Sequence, residues 1–167
     1  MATEIEGLDE VLAKFQQLGD PRKSKNAATR SARKAMNIVK KDAIANAKAL
    51  DDAASPERIW KNITVKASRS KDKGVIVMKV GVKGGARQYV NTKRNRREGR
   101  AGQTYQTAGD KSNPGGDTWY WRMVELGTAH SAAAPFLRPA LYNNLSNVQS
   151  TFTDAFSIEL DKEIDKL

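Results

Sequence analysis

Apolar residues recur at helical spacing over three stretches of the chain, and each stretch predicts a helix. Near the N-terminus, one apolar face is formed by Leu8, Val11, Leu12, Phe15 and Leu18, and Gly19 ends this helix. A second, Ala-rich helix follows Asp20-Pro21, which supplies an N-cap acceptor and a proline at the first helical position, and it runs to about Leu50. Its apolar face contains Ala28, Ala32, Ala35, Val39, Ala43 and Ala47.

The third helical stretch lies at the C-terminus, where apolar residues follow one another at intervals of three and four. These residues are Leu141, Leu145, Val148, Phe152, Phe156, Leu160, Ile164 and Leu167. They predict one long amphipathic helix, roughly 40 Å at 1.5 Å per residue.

Two shorter stretches between the Ala-rich and the C-terminal helix predict a β-hairpin. From Ile59 onward the pattern alternates, with Ile63, Val65 and Ala67 on one side, which is typical of a strand. A second strand is predicted over Val75–Val82, which is apolar enough to be central in a sheet. The sequence "KDKG" between them is typical of a turn.

Residues 91–117 have almost no aliphatic residue and no periodicity, so we expect a long exposed loop or extended arm. The dense aromatic sequence "TWYWRMVELGT" then returns to the body as a strand or a short helix. The whole pattern predicts one α+β domain over residues 1–167. In it, a small antiparallel sheet is packed by the Ala-rich and C-terminal helices, and residues 84–117 form an exposed basic, Gly-rich loop or arm.

The net charge of +10 is concentrated in the centre of the chain, since residues 61–100 carry 13 basic and 2 acidic groups. Within this block lie Lys93, Arg94, Arg96, Arg97 and Arg100, flanked by Tyr89 and Tyr105. Such a cluster can bind DNA phosphates without sequence preference, or it can dock on an acidic neighbour. Both interpretations stay open. No helix-turn-helix, zinc-finger or RNA-recognition signature is present, so we do not expect sequence-specific recognition.

Candidate chemistry is scarce. The chain has no cysteine, and its single histidine, His130, would need Glu125 to fold back as an orienting acid before Ser131 could become a nucleophile. No His, Asp and Glu residues have metal-ligand spacing, and "GVKGGAR" lacks the Gly-Lys-Ser/Thr ending of a phosphate-binding loop. We therefore expect no enzymatic activity, no catalytic residues, no metal site and no cofactor. Glu125, among apolar residues, is expected to be hydrogen-bonded structurally.

Residues 124–141, "VELGTAHSAAAPFLRPAL", combine a turn with two prolines. The residue before a proline is pushed out of the helical region, so Pro139 is predicted at the first helical position with Arg138 outside the helix. Leu137 would then pack on Tyr142 as a hydrophobic staple. Gly127 permits a sharp reversal, and Pro135 keeps the approach extended. The segment is therefore expected to aim the C-terminal helix.

The sequence of this corner resembles that of a known family. Trp121, Val124-Glu125-Leu126-Gly127-Thr128 and Ala134-Pro135-Phe136-Leu137-Arg138-Pro139-Ala140-Leu141 are similar to the pattern of the gene-product-ten-like neck and tail-completion family of lambdoid phages, which is related to the minor tail protein Z of phage lambda. The opening "IEGLDEVLAKFQQL" and the Ala-rich basic helix after it also match. The chain departs from the family at "SPERIWKNI", where members often carry Thr-Gly, and in a longer basic arm.

The resemblance implies a structural protein of a long-tailed phage virion, made in the bacterial host cytoplasm. It implies a ring around the DNA path at the head–tail joint and no contact with a membrane. The expected partners are further copies in a hexamer, the head-closure and tail-terminator proteins, the tape-measure protein and lumenal double-stranded DNA. Expected assembly residues are Glu125, Gly127, Thr128, Pro135, Phe136, Leu137, Arg138 and Pro139. The basic arm would face DNA or a neighbouring subunit. The alternative function is a basic DNA-binding module without sequence specificity.

Overall fold

The computed structural model describes residues 13–14, 19–52, 54–72, 74–84, 86–106 and 112–166. The elements follow the chain in the order α1 (Pro21–Ala49), a 3₁₀ turn (Ile59–Asn62), β1 (Ile63–Ser68), β2 (Val77–Val82), β3 (Ala86–Gln88), α2 (Lys93–Arg97), β4 (Thr104–Gln106), α3 (Trp121–Leu126), α4 (Leu137–Tyr142) and α5 (Leu145–Ile164). The predicted helix from Leu8 to Leu18 lies outside the described residues except for positions 13 and 14, which are helical.

The predicted α+β class is confirmed: β1 and β2 form a small antiparallel sheet, and the long helices α1 and α5 pack on it. The N–H of Lys83, just after β2, donates to the carbonyl of Asn62, just before β1, at 2.9 Å. Because this bond joins the end of one strand to the start of the other, the pair is antiparallel. A second two-stranded antiparallel sheet joins β3 to β4, with Arg87 opposite Tyr105.

Two details of the predicted hairpin are wrong. The first strand starts at Ile63, because residues 59–62 form a 3₁₀ turn, and Ala67 on its predicted inner side is exposed. The second strand, β2, is not central: among the described residues β1 is its only neighbour in the sheet, and none of its six residues is buried. The apolar run of β2 is therefore only partly covered in this two-stranded sheet.

Helix α1 begins where the sequence predicts, because the Asp20 carboxylate accepts a hydrogen bond from the N–H of Arg22 at 2.8 Å. The buried face contains Ala27, Ser31, Ala35, Val39, Ala43 and Ala47. In its first half this face is one residue away from the predicted one, since Ala28 and Ala32 are only half-buried. The polar Ser31 can be buried because its hydroxyl donates to the carbonyl of Ala27 at 2.9 Å.

The prediction of one long C-terminal helix is wrong at its start. Residues 143 and 144 form a turn that separates α4 from the 20-residue α5. Both positions are asparagine, whose side chain competes for backbone hydrogen bonds and favours helix ends. Leu141 and Leu145, on either side of the turn, are 40% and 53% exposed, so they do not belong to the core. The last predicted apolar position, Leu167, lies outside the described residues.

Residue contacts group the chain into two compact units, of which the first comprises Met1–Val39, Val65–Val80 and Tyr142–Leu167. Its core packs Ala27 against Phe156 and Leu160, and the rings of Phe152 and Phe156 stack with their centroids 5.5 Å apart.

Ion pairs also join α1 to α5 at the surface of this first unit. Arg30 binds Glu159 through Nε and binds Glu163 through Nη2, the latter at 2.7 Å. Hydrogen bonds from Lys162 and then from Arg30 lower the pKa of the Glu159 carboxyl. Bonds from Arg30 and then from Lys166 lower the pKa of the Glu163 carboxyl.

The second unit comprises Lys40–Thr64 and Gly81–Leu141. Its most completely buried side chains include Ile63 and Phe136, together with the polar Asn62 and Thr118. The amide of Asn46, on α1, donates to the carbonyl of Phe136 at 3.3 Å. The organisation of residues 1–167 as one functional domain stays a prediction.

Candidate functional site

The carboxylate of Glu125 holds the first turn of α4. Glu125 lies in α3 and is only 4% exposed. Its Oε2 accepts hydrogen bonds from the N–H groups of Phe136 and Leu137 at 2.7 and 2.9 Å, and its Oε1 accepts one from the N–H of Arg138 at 3.0 Å. N–H groups at a helix start have no partner inside the helix. Glu125 therefore caps α4 from a neighbouring helix, and its negative charge interacts favourably with the positive, N-terminal end of the helix dipole.

The Arg138 side chain also binds Glu125, from the surface of the protein. Its Nε lies 3.2 Å from Oε1 of Glu125, and its Nη2 donates to the Glu125 carbonyl oxygen at 2.8 Å. The side chain nevertheless remains 54% exposed. Arg138 thus joins the end of α3 to the start of α4 while keeping part of a cationic group at the surface.

Gly127 makes the turn that brings the two helices together, as the sequence predicts. Its φ is +77°, a conformation that residues with a side chain rarely adopt. A Cβ at this position would lie 2.8 Å from the backbone nitrogen of Ala133, so there is also no room for one. The N–H of Gly127 donates to Met123 and the N–H of Ala134 donates to Val124, both at 2.8 Å. The returning chain is therefore fixed against α3.

The predicted helix start at Pro139 is wrong. Helix α4 begins at Leu137, so Arg138 is helical and Pro139 occupies the third position. A proline is tolerated in the first turn because the N–H that it lacks would have no helical partner there. Glu125 binds the three preceding N–H groups, which offsets the preference of Arg138 for an extended conformation. The hydrophobic staple is also wrong, because Tyr142 is 71% exposed and Leu137 lies within the helix.

The expected assembly residues divide between core and surface. Phe136 is completely buried, and Leu137 and Pro139 are half-buried. Thr128 and Pro135 are exposed. The structure therefore brings Glu125 together with residues 136–138, as one hydrogen-bonded corner, while the role of these residues in assembly stays a prediction.

The histidine does not share the Glu125 carboxylate. His130 is exposed in the loop after α3, where its backbone N–H donates to Oγ1 of Thr128 at 3.2 Å. Both Glu125 oxygens already accept hydrogen bonds from residues 136–138. The expectation that Glu125 is hydrogen-bonded structurally is thereby confirmed.

The basic segment contains more regular structure than its sequence predicts. It forms the short sheet of β3 and β4, and α2 lies between these strands with Thr92 Oγ1 accepting from the N–H of Asn95 at 3.1 Å. Tyr89 and Tyr105 contact each other with ring centroids 4.5 Å apart. Local pairing of the two short strands thus gives order to a sequence that cannot build a core.

The cationic side chains of this segment differ in their surroundings. The exposed ones are Lys93, Arg94, Arg96 and Arg97. Arg94 pairs with Glu98 at 3.0 Å, and Arg100 pairs with the same glutamate while its guanidinium lies over the Tyr89 ring, 5.0 Å from the centroid. Arg100 therefore stabilises the segment, whereas the other four cationic residues lie on α2 and are exposed.

The sequence gives little warning of a buried polar network around Asn62. Its Nδ2 donates to Oγ1 of Thr118 at 2.8 Å and to the carbonyl of Gly116 at 3.0 Å, while its Oδ1 accepts from the N–H of Gly115 at 2.8 Å. A Cβ at Gly115 would lie 2.0 Å from the Arg58 carbonyl oxygen. The "GG" pair in "NPGGD" was the one available signal of such a close approach.

Among the described residues, no group of three or more histidine, aspartate and glutamate side chains could hold a metal ion. The helices in the described ranges include none that is long and apolar enough to cross a membrane. No protein-family model, curated protein sequence or solved structure matches the chain. The likeness of residues 121–141 to the phage neck family accordingly stays a prediction.

Proposed function

We propose that the chain is a non-enzymatic structural protein of a long-tailed phage virion, which forms a ring at the head–tail joint around the DNA path. The observation that carries this proposal is the binding of Glu125 to three N–H groups at the start of α4. Glu125 therefore fixes the position of α4 relative to α3. Such a structural role suits a protein that presents surfaces to its neighbours at fixed angles.

The charge distribution supports repeated contact between copies. Residues 61–100 are strongly basic, whereas residues 101–167 carry 5 basic and 8 acidic groups. Contact between unlike surfaces of identical subunits closes into a ring when the rotation permits it. The ring would also bind the head-closure and tail-terminator proteins, and its basic surface would face lumenal DNA or a neighbouring subunit.

Imaging and complementation test this proposal. Cryo-electron microscopy of virions should show a ring of this protein at the head–tail joint, and deletion of its gene should leave heads and tails unjoined. Fully joined, infectious particles from the deletion strain would refute the neck assignment.

A triple variant tests the basic segment. Replacing Arg94, Arg96 and Arg97 with alanine should lower particle assembly or DNA retention, because three exposed cations are removed. The control replaces Lys25, Lys34 and Lys41 of α1, which are also exposed, with alanine and removes the same charge. Equal particle yield and DNA content for both triple variants would exclude a specific role for the α2 arginines.

The alternative is a DNA-binding module without sequence specificity, favoured by the exposed cations on α2. It predicts that the isolated chain binds duplex DNA with an affinity that falls steeply with salt. A plot of the logarithm of the binding constant against the logarithm of the salt concentration should have a slope of about −0.9 per neutralised phosphate. It also predicts unimpaired virions in the deletion strain. The two functions therefore give opposite outcomes in the complementation test.

A further inference from the structure

An open cavity of about 280 Å³ lies in the second unit, beside the end of α1. Part of its wall is apolar and comes from Ala47, Ile59, Val124 and Phe136. The wall also contains the acidic residues Asp51, Asp52 and Glu57. The cavity volume is about nine times the ~30 Å³ that one water molecule occupies in the liquid, which is enough for a long side chain.

The three carboxylates are held in place and keep capacity for further donors. Asp51 Oδ2 lies 3.2 Å from Nε of Arg58, Asp52 Oδ1 accepts from the N–H of Ala54 at 2.9 Å, and Glu57 Oε2 accepts from Ser55 at 3.1 Å. An ionised carboxylate has about four acceptor sites. Among the described residues, all three charged residues that line the cavity are acidic, and the one cation paired with them, Arg58, binds Asp51.

Tyr120 also lines the cavity, and the acidic residues of the cavity affect the pKa of its phenol. Burial raises the pKa of its phenol; a hydrogen bond with Ser55 lowers it, and the charges of Glu57 and Asp51 raise it further. Burial disfavours any charge at this position, but the negative charges of Glu57 and Asp51, which disfavour an anionic phenolate, would attract a cation.

An arginine side chain matches such a cavity, since its methylene stem packs on apolar surface and its guanidinium binds carboxylates. The chain itself presents arginines on α2. In the part of the chain that the structure describes, Arg94 pairs with Glu98, but no ion pair involves Arg96 or Arg97. Arg96 borders a separate hollow next to Tyr89, whereas Arg97 is exposed.

We propose that Arg97 on α2 of one copy docks in the Asp51–Asp52–Glu57 cavity of a second copy. The contact joins two different surfaces, so it propagates from subunit to subunit as a ring contact must. It rests on the proposed function in that it names the subunit interface of that ring. Lys93 lies four residues before Arg97 and shares its helical face, where it adds a second cation near the cavity.

Charge exchange in the full-length chain tests the contact. Self-association is measured by sedimentation velocity and native mass spectrometry over a concentration series at low and high salt. Arg97→Glu and Glu57→Arg should each weaken self-association by roughly 30-fold or more, because each places like charges at the contact. Combining the two substitutions should restore most of the wild-type association, since the charges again attract.

Lys41→Glu is the matched control, because it makes the same charge change on an exposed face of α1 and should leave association unchanged. Circular dichroism of each variant checks that it is folded, and Arg97→Gln provides a milder loss of charge on an exposed side chain. Monomeric wild-type chain at every concentration would overturn the contact, as would assemblies that survive Arg97→Glu.

The outcomes separate this contact from the proposed function. A ring in virions, with self-association indifferent to Arg97 and Glu57, refutes the cavity contact and leaves the neck proposal standing. Association restored by the double substitution, in a chain whose deletion does not impair virions, supports the cavity contact and refutes the neck. If Arg97→Glu weakens duplex DNA binding without changing self-association, α2 binds DNA and the cavity contact is wrong.

Discussion

Replacing Glu125 with glutamine tests whether one carboxylate organises the corner between α3 and α4. Glutamine has the same shape but keeps only one acceptor oxygen, and its NH₂ group must face an N–H donor. Either the Phe136 and Leu137 contacts or the Arg138 contacts are lost. The substitution therefore separates the role of the carboxylate from that of side-chain volume.

The expected loss of stability follows from these contacts. Hydrogen bonds to a charged group contribute about 1.5–3 kcal/mol each, and a buried N–H left without a partner costs about 1–3 kcal/mol. The ion pair with the half-exposed Arg138 side chain contributes about 1 kcal/mol or less, because water screens it. We expect Glu125→Gln to lower the free energy of unfolding by about 3 kcal/mol, and the melting temperature by about 6–12 °C for a chain of this size.

Urea denaturation, followed by circular dichroism and tryptophan fluorescence, measures the free energy of unfolding. Amide hydrogen exchange gives the local readout, because the N–H groups of Phe136 and Leu137 should lose protection before the rest of the second unit. Arg138→Gln is the control and should cost about 1 kcal/mol or less. The reasoning would be refuted by a Glu125→Gln loss below about 1 kcal/mol with unchanged exchange at both amides.

Three further changes probe other parts of the fold. Gly127→Ala should cost about 2 kcal/mol or more, because φ is +77° and the new Cβ would meet backbone at 2.8 Å, whereas Gly81→Ala, with open space, should be nearly neutral in the same urea titration. Asn62→Ala should cost about 3 kcal/mol by leaving buried polar groups unpaired; a loss near zero would mean that the network is dispensable. Since the pKa values of Glu159 and Glu163 are lowered in the folded chain, their stabilising contribution is complete above the ordinary glutamate pKa of about 4.3 and is lost as the pH falls through the folded values. Arg30→Gln should therefore reduce the acid-dependent part of the unfolding free energy, and an unchanged pH profile would contradict this assignment.

The errors of the sequence-based prediction arise from hydrogen bonds, which the spacing of apolar residues does not encode. Local sequence predicts that Pro139 begins a helix, but Glu125 supplies acceptors from another element, and α4 starts at Leu137. The pair Asn143-Asn144 interrupts an apolar periodicity that otherwise continues, because a turn depends on competing backbone hydrogen bonds rather than on hydrophobic spacing. The Asn62 network joins residues more than fifty positions apart, so local pattern could only hint at it.

The sequence by itself determined the α+β class, the start of α1 at Asp20-Pro21, the reversal at Gly127 and the concentration of positive charge in residues 61–100. These features depend on local chemistry: helical and alternating periodicity, a capping carboxylate, a glycine with positive φ and the number of charged groups. Only the tertiary structure decided which N–H groups Glu125 binds and which acidic residues line the cavity beside α1. Those arrangements depend on distances between residues far apart in the chain, and folding alone sets these distances.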